Sequence, residues 1–469
     1  MLQITLAEFK IEFDQFLMQF LKEKMEESAK INPTAAQNIQ LISQLVANGG
    51  KRIRPFLVFL GFGMNEKIEK LEKLEILKVG AALELFHTFA LIHDDLIDNS
   101  LIRRGLPTIE MEYRKIFEKV SQKNKKNEKL TETEKIMARN ATILAGDFAH
   151  TLADLLMNTV ENFQVRELYY QMQFELVAGQ LDDCFGVGMS QFGDLTEEKI
   201  LNMLRAKSGN YSIQKPLLMG WKLANSFKNS KNIEIEKNDE KTENQVLETQ
   251  KLEIQEIIQN KKAFEEVLAQ IGEEIGLVFQ LKDDILGVFG EISIGKSSES
   301  DLRDGKKTLL IYQTWANSNY ENRQFIEDNL GQENGDFDGL RKLIIESGAL
   351  ENIEKMCQKL SQNAIFGVKT IFKKPNNPTQ NHKNEKTKNL DILKNRNLEK
   401  NSNYQINLEK YLEIKSVNQK LSQTIQENQT IQLSKKEIPS FQNPEKESQN
   451  QFYVNILLEL INYLANRKK

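Results

Sequence analysis

Two aspartate-rich segments define the chemistry open to this chain. "LIHDDLIDNSLIRRG" carries Asp94, Asp95 and Asp98, and about 190 residues later "FQLKDDILGVFG" carries Asp283 and Asp284. Asp94 and Asp98 are four residues apart, so on a helix they share a face and offer hard oxygen ligands to a divalent cation. A second acidic helix facing the first would complete a cage for Mg2+. That ion favours a few carboxylates supplemented by phosphate oxygens and water, so the implied guest carries a diphosphate. A single DDxxD is often no more than a solvated helix face. Here the preceding "ELFHTFALIH" and "IGLVFQL" are strongly apolar, and carboxylates entering an apolar helix demand a partner, a metal or a base.

The elements that must position these groups read as helices. Residues 1 to 117 and 135 to 225 repeat apolar positions at helical spacing, with few prolines and no run of β-branched alternation. The expected fold is all-α. Of the 469 residues, 40% are hydrophobic and 28% charged, ordinary values for a soluble protein, and the net charge of -4 points to no nucleic-acid partner. No apolar run approaches the roughly 20 residues that span a bilayer, and "MLQITLAEFKIEFDQF" lacks the charged and apolar regions of a secretory leader. The expectation is a cytoplasmic protein without a transmembrane segment. Cys184 and Cys357 supply neither a disulfide framework nor a thiolate metal site, and His93, His150 and His382 form no metal-ligand set with His87.

Three stretches, about 118–134, 226–262 and 374–450, are dominated by Lys, Asn, Glu and Gln. They read as surface insertions in a single domain, because such composition cannot bury enough surface to offset its ordering entropy. Within them "VLETQKLEIQEIIQ" could still form a solvated helix. The apolar pattern returns in "FYVNILLELINYLANRKK", which reads as a final packed helix over 451–469.

Five motifs in one order, "GGKRIRP", "LIHDDLIDNSLIRRG", "GQLDD", "KSGNYS" and "FQLKDDILGVFG" followed by "GKSSESDLRDGKKT", resemble the trans-isoprenyl (polyprenyl) diphosphate synthase family. The likeness covers about residues 1–225, 262–372 and 451–469. It implies an orthogonal bundle of ten to thirteen helices around a deep central cavity, and a homodimer. It also implies a Mg2+-dependent reaction, with Mn2+ as a substitute ion, that joins isopentenyl diphosphate head to tail to an allylic diphosphate. In that reaction an allylic C–O bond ionises, the alkene adds to the carbocation and a proton leaves.

Carried onto this sequence, the resemblance makes Asp94, Asp98 and Asp283 the metal ligands, with Asp95 and Asp284 supporting them. Arg103, Lys207 and Lys296 are the cationic contacts to the allylic diphosphate, joined by Lys306 of "DGKKT", while Lys307 reads as surface. Lys51, Arg54, Arg104 and His87 match the groups that hold isopentenyl diphosphate, a task suited to the planar fork of arginine. His87 lies seven residues before Asp94, two helical turns away on the same face. Arg52 reads as structural or surface. Ser208 and Gln280 can turn oxygen dipoles toward a carbocation, and Gln180 and Asp183 support the metal site. The family assigns the proton to released pyrophosphate, so no side chain is named as base.

Two residues depart from the commoner family pattern. Gly287 stands where many relatives carry a third aspartate, leaving Asp283 as the firm ligand of that motif, and Ser208 replaces threonine. Phe89 and Phe86, five and eight residues before Asp94, would floor the cavity, and among relatives this arrangement resembles short-chain synthases making C20, with C15 next. The rival readings are a class I terpene synthase and a non-catalytic prenyltransferase subunit. The first lacks a need for Lys51, Arg54 and Arg104, and the second typically loses one acidic motif.

Overall fold

The computed structural model describes residues 1–124, 130–236, 246–290, 300–372 and 446–467. Among these residues the chain forms sixteen α-helices and one two-stranded hairpin, an all-α fold as expected. The helices are α1 (Leu2–Ala29), α2 (Pro33–Ala47), α3 (Ile53–Gly63), α4 (Lys70–Ile97), α5 (Ile109–Asn124), α6 (Glu132–Met157), α7 (Phe163–Leu181), α8 (Glu197–Leu204), α9 (Lys215–Glu236), α10 (Val246–Phe289), α11 (Ser300–Arg303), α12 (Leu309–Ala316), α13 (Tyr320–Asn329), α14 (Phe337–Glu346), α15 (Ala349–Ile371) and α16 (Lys446–Ala465). Two π-helical stretches, Asp182–Val187 and Arg205–Gln214, extend α7 and join α8 to α9. The helix number exceeds the expected ten to thirteen because the chain after α10 breaks into short pieces. Thr308, Asn319 and Asp336 each cap one of these with a side-chain oxygen, which makes a short helix start where it does.

The polar stretches are more helical than their composition suggested. α5 runs on to Asn124, and α6 opens at Glu132 with a reciprocal capping box between Thr131 and Glu134. α9 continues to Glu236 and α10 begins at Val246, so both helices enter the 226–262 stretch. Lys, Glu and Gln are strong helix formers, and polarity alone does not end a helix. Of 374–450 only 446–450, the first turn of α16, lies within the described residues.

The buried side chains fall into two clusters. The first joins α1 to α4, α6, α7, α9, the middle of α10 and α16 around Phe13, Phe56, Phe86 and Tyr169, and the second joins α8 and α11 to α14. α10 and α15 belong to both, with Ile271 and Ile275 in one cluster and Leu281 and Val288 in the other. The acidic end of α4 therefore rises from the first core, and the acidic stretch of α10 lies where the helix passes into the second.

One expectation needs correcting. α4 alone among the described helices is long and apolar enough to cross a bilayer, although 67% of that apolar window is buried inside the protein. A helix that is apolar nearly all round is what a fully surrounded core helix requires.

Candidate active site

α4 ends in the first acidic motif. Asp98 caps it, and its N–H donates to the Asp94 carbonyl at 2.8 Å. Negative charge at a helix C-terminus is opposed by the macrodipole, so cations must be brought to it. Arg103 donates from Nε and Nη2 to Oδ1 of the buried Asp95, and Nη2 lies 3.9 Å from Asp94. Lys306 places its ammonium 3.3 Å from Asp98 and 3.6 Å from each of Asp301 and Asp304. Burial opposes the Lys306 charge, but the fields of Asp301, Asp98 and Asp94 outweigh it and raise its pKa. Lys207 donates to Asp183 at 2.5 Å.

On α10, Asp283 accepts from Arg467 at 2.6 Å. Its neighbour Asp284 is buried, accepts from Gln280 at 2.8 Å through Oδ1, and leaves Oδ2 without a hydrogen-bond partner. Burial, and then the field of Asp301, push its pKa up to about 8. The missing aspartate at Gly287 also has an explanation. A Cβ at Gly287 would collide with the Asp301 carboxylate, so Asp301 fills the room that a side chain there would take.

Among the described residues no three His, Cys, Asp or Glu side chains already converge as a metal cage. Asp94, Asp98 and Asp283 instead stand against cations. Their hard oxygens nevertheless suit Mg2+, whose shell is normally completed by phosphate and water, and the orphaned Asp284 oxygen marks unmet demand for a cation or donor.

The π-helical stretches carry Asp183 on one side and Lys207 and Ser208 on the other, and such stretches concentrate at functional sites. α10 lies directly on the second of them. A Cβ at Gly276 would overlap the Gly209 backbone, so only glycine permits this approach, which sets Asp283 and Asp284 relative to Lys207. Gln180 faces the Cys184 sulfur at 3.7 Å, so of the pair Gln180 and Asp183 it is Asp183 that touches a charged site residue. Lys307 does not stand free on the surface. It donates to the Gly188 and Ser190 carbonyls at 2.7 Å and ties down the loop after α7. Lys296 lies outside the described residues.

The basic motifs build a second cluster by loop geometry. Between β1 (Ile102–Arg103) and β2 (Leu106–Pro107), Arg104 and Gly105 both have positive φ, the arrangement of a type I′ two-residue turn. Arg104 is thereby held at the tip of the hairpin and donates to the Gly49 carbonyl at 2.5 Å. Arg52, also in the left-handed region, is structural and almost fully buried. It donates to Asp14 at 2.7 Å, Glu84 at 2.6 Å and the Val46 carbonyl at 2.7 Å.

Arg54 donates to Ser212 at 2.7 Å and lies 4.3 Å over the Tyr211 ring, while its Nε has no partner. His87 is near it, with Nδ1 buried and unpartnered. Burial and then the fields of Arg54, Arg104, Arg103 and Arg52 drive its pKa well below the usual histidine range. Tyr211 and Ser212 escaped the sequence reading, although both lie in the "KSGNYS" motif. Their aromatic and hydroxyl character beside a basic motif was the available signal.

Phe86 is fully buried, and Phe89 packs on it with centroids 5.3 Å apart. From α6, His150 comes within 5.6 Å of Phe86 and 4.9 Å of Phe89, and His93 meets Phe89 edge-on at 4.7 Å. Tyr169 and Tyr211 close on Phe86 at 6.0 and 5.9 Å. Phe86 and Phe89, the two rings expected to set product length, thus belong to a larger aromatic cluster.

The polyprenyl synthetase family model matches residues 37–240 and 236–346, a span that contains both acidic motifs and both basic ones. The chain is a prenyltransferase of the polyprenyl synthetase family. It is 25% identical over 337 residues to the geranylgeranyl diphosphate synthase of Saccharolobus solfataricus, covering 70% of this chain and 82% of the relative. With the geranylfarnesyl diphosphate synthase of Aeropyrum pernix it shares 26% over 352 residues, 73% of this chain and 86% of the other. Among solved structures, the geranylgeranyl pyrophosphate synthase of Corynebacterium glutamicum, complexed with isoprenyl diphosphate and magnesium, superposes with a TM-score of 0.63 at 26% identity. That match covers 77% of this chain and 93% of the other. In this polyprenyl synthetase the motif residues are therefore carried by the same all-α fold.

Proposed function

We propose that this chain catalyses Mg2+-dependent head-to-tail condensation of isopentenyl diphosphate with an allylic diphosphate, yielding a C20 product, with C15 the nearest other length. One observation carries the reading. The carboxylate-rich end of α4 is followed by a hairpin whose Arg104 acts, together with Arg54, on the buried His87, and both Arg54 Nε and His87 Nδ1 are buried without a hydrogen-bond partner. A buried guanidinium N–H without an acceptor fits an anion, and a guanidinium fork fits the oxygens of a diphosphate.

Asp94, Asp98 and Asp283 would hold Mg2+, which supplies charge neutralisation to a departing diphosphate. Lys207, Lys306 and Arg103 bring positive charge to the same diphosphate. Arg54 is kept in place by Ser212 and Tyr211, and Arg104 by its turn, so both present a fixed cationic face to isopentenyl diphosphate. His87, kept neutral, can donate one N–H to a phosphate oxygen. The hydroxyl of Ser208 and the amide of Gln280 offer oxygen dipoles to the allylic cation without a strong nucleophile that would trap it.

The chain-length reading rests on Phe86, Phe89 and the rings around them. The homodimer reading gains support from an exposed apolar stripe. Tyr170, Phe174, Val177, Leu181 and Phe185 recur at helical spacing along α7 and its π extension, and Phe174 is 78% exposed. A continuous apolar face of this kind marks an association surface.

The test is incubation with labelled isopentenyl diphosphate and each of the C5, C10 and C15 primers, with Mg2+ or with chelator, followed by dephosphorylation and sizing. A C20 product formed only with the metal is expected. Phe89→Ala should lengthen it by at least one isoprene unit, and Phe86→Ala by more. A wild-type product of C30 or longer, or unchanged length in the double variant, would remove the floor assignment.

A further inference from the structure

The end of α16 touches both halves of the site. Tyr463 accepts a hydrogen bond from Lys51 at 3.0 Å, and the Lys51 ammonium lies 5.5 Å from the centre of its ring. Arg467, four residues on, pairs with Asp283 at 2.6 Å, and its guanidinium lies 5.6 Å over Phe279. Phe279 and Asp283 are four residues apart and so lie on one face of α10. Arg467 is therefore held by a ring and a carboxylate at once. Its side chain is only 18% exposed, whereas Asp283 is 35% exposed. The helix beneath is anchored, because Leu457, Leu460, Ile461 and Leu464 are buried in the first core.

A guanidinium with two contacts loses less freedom per hydrogen bond than a flexible ammonium would, which makes this pairing a strong occupant of Asp283. Asp283 is also the carboxylate assigned to Mg2+. A carboxylate oxygen engaged at 2.6 Å by a guanidinium is not free to coordinate a metal in the same direction. From this we infer that Arg467 is the resident counter-cation of Asp283. A divalent ion must displace it, and the displaced guanidinium then becomes available to the incoming diphosphate. Tyr463, on the same helix end, positions Lys51, so α16 links the metal side to the basic pocket. The inference deepens the proposed function and rests on it.

The test measures Mn2+ binding to the full chain by the loss of its free-ion electron paramagnetic resonance signal, with and without inorganic pyrophosphate. With Mn2+ alone, Arg467→Gln should bind at least about threefold more tightly than wild type, and Arg467→Lys should fall between. With pyrophosphate present, that advantage should vanish or reverse, because wild-type Arg467 now contributes to the anion. In Asp283→Asn, adding Arg467→Gln should change nothing. Circular dichroism and Tm of each variant show whether it is folded.

Wild type that binds Mn2+ while folded Arg467→Gln binds with equal or lower affinity in the absence of pyrophosphate overturns this role for Arg467 and leaves the metal reading standing. Wild type that binds no Mn2+ in either condition removes both.

Discussion

On the carboxylate side, Asp95, Asp98 and Asp283 each have a cation against them already: Arg103, Lys306 and Arg467. On the basic side, Arg54 Nε and His87 Nδ1 are buried with no partner, and burial lowers the pKa of Arg104, which feels Glu84 and then Arg52, Arg103 and Arg54. One half is neutralised from within, and the other keeps buried polar groups without partners. The difference separates two kinds of binding energy. A ligand of the acidic half must exchange with cations in place, so its affinity is a difference between two good partnerships. A ligand of the basic half satisfies groups that were costly to bury, so its affinity includes relief of that cost.

The largest effect that could break this comparison is at Asp94. Asp94→Ala should lower turnover about a thousandfold or more, since metal stabilisation of leaving-group charge is worth several kcal/mol. Helix content should stay unchanged. Steady-state assay and circular dichroism check this, and activity within tenfold of wild type would remove Asp94 from the metal site.

Arg52 tests what supports the basic half. Arg52→Met leaves Glu84 buried without its partner, a loss of about 3–5 kcal/mol in stability, readable as a lower denaturant midpoint. A stability equal to wild type would show that the Asp14–Arg52–Glu84 group does not hold the "GGKR" loop.

Within the pocket, Arg104→Ala and Lys51→Ala should each raise KM for isopentenyl diphosphate about tenfold or more, the worth of one charge-assisted hydrogen bond. KM for the allylic substrate should change much less. Equal rises for both would erase the division between the halves.

Glu274 sharpens the contrast from outside the site. It is buried on α10, accepts from Asn363 at 3.4 Å, and burial pushes its pKa up to about 8. A carboxyl whose folded pKa is raised contributes stability that is fully present below its unfolded value near 4.5 and is lost as pH rises toward 8. Glu274→Gln should flatten that fall, by on the order of 1–2 kcal/mol between pH 5 and pH 8. Urea midpoints across this range decide it, and identical slopes would exclude Glu274 as the cause.

Much of the site was legible because it is written as residue types at helical spacing. Asp94, Asp98, His87 and the two Phe residues could be placed on one helix by counting. The resemblance assigns Arg103 and Arg104 to different diphosphates, but the physical reason the two neighbours part, a two-residue turn with positive φ at a non-glycine position, is not carried by spacing. The same holds for Arg52, whose burial follows from the left-handed start of α3. The contacts of Tyr463 with Lys51 and of Arg467 with Asp283 join positions 412 and 184 residues apart, and local periodicity carries no information about them. The α7 stripe was countable, but only the packed structure shows that it faces outward. The polar stretches were judged by composition, which measures burial better than it measures helicity.

The π-helical stretch Arg205–Gln214 carries a consequence for register. A π turn holds more residues than an α turn, so it behaves as a built-in insertion within the rod formed by α8 and α9. Removing one residue between Lys207 and Gly209 would let regular winding resume and rotate everything on one side by about 100°. Gly209 could then face α10 only if Lys207 turned away from Asp183. In this part of the chain, the count of residues therefore determines which chemistry meets which helix, and a deletion would disturb it in a way that no side-chain replacement can reproduce.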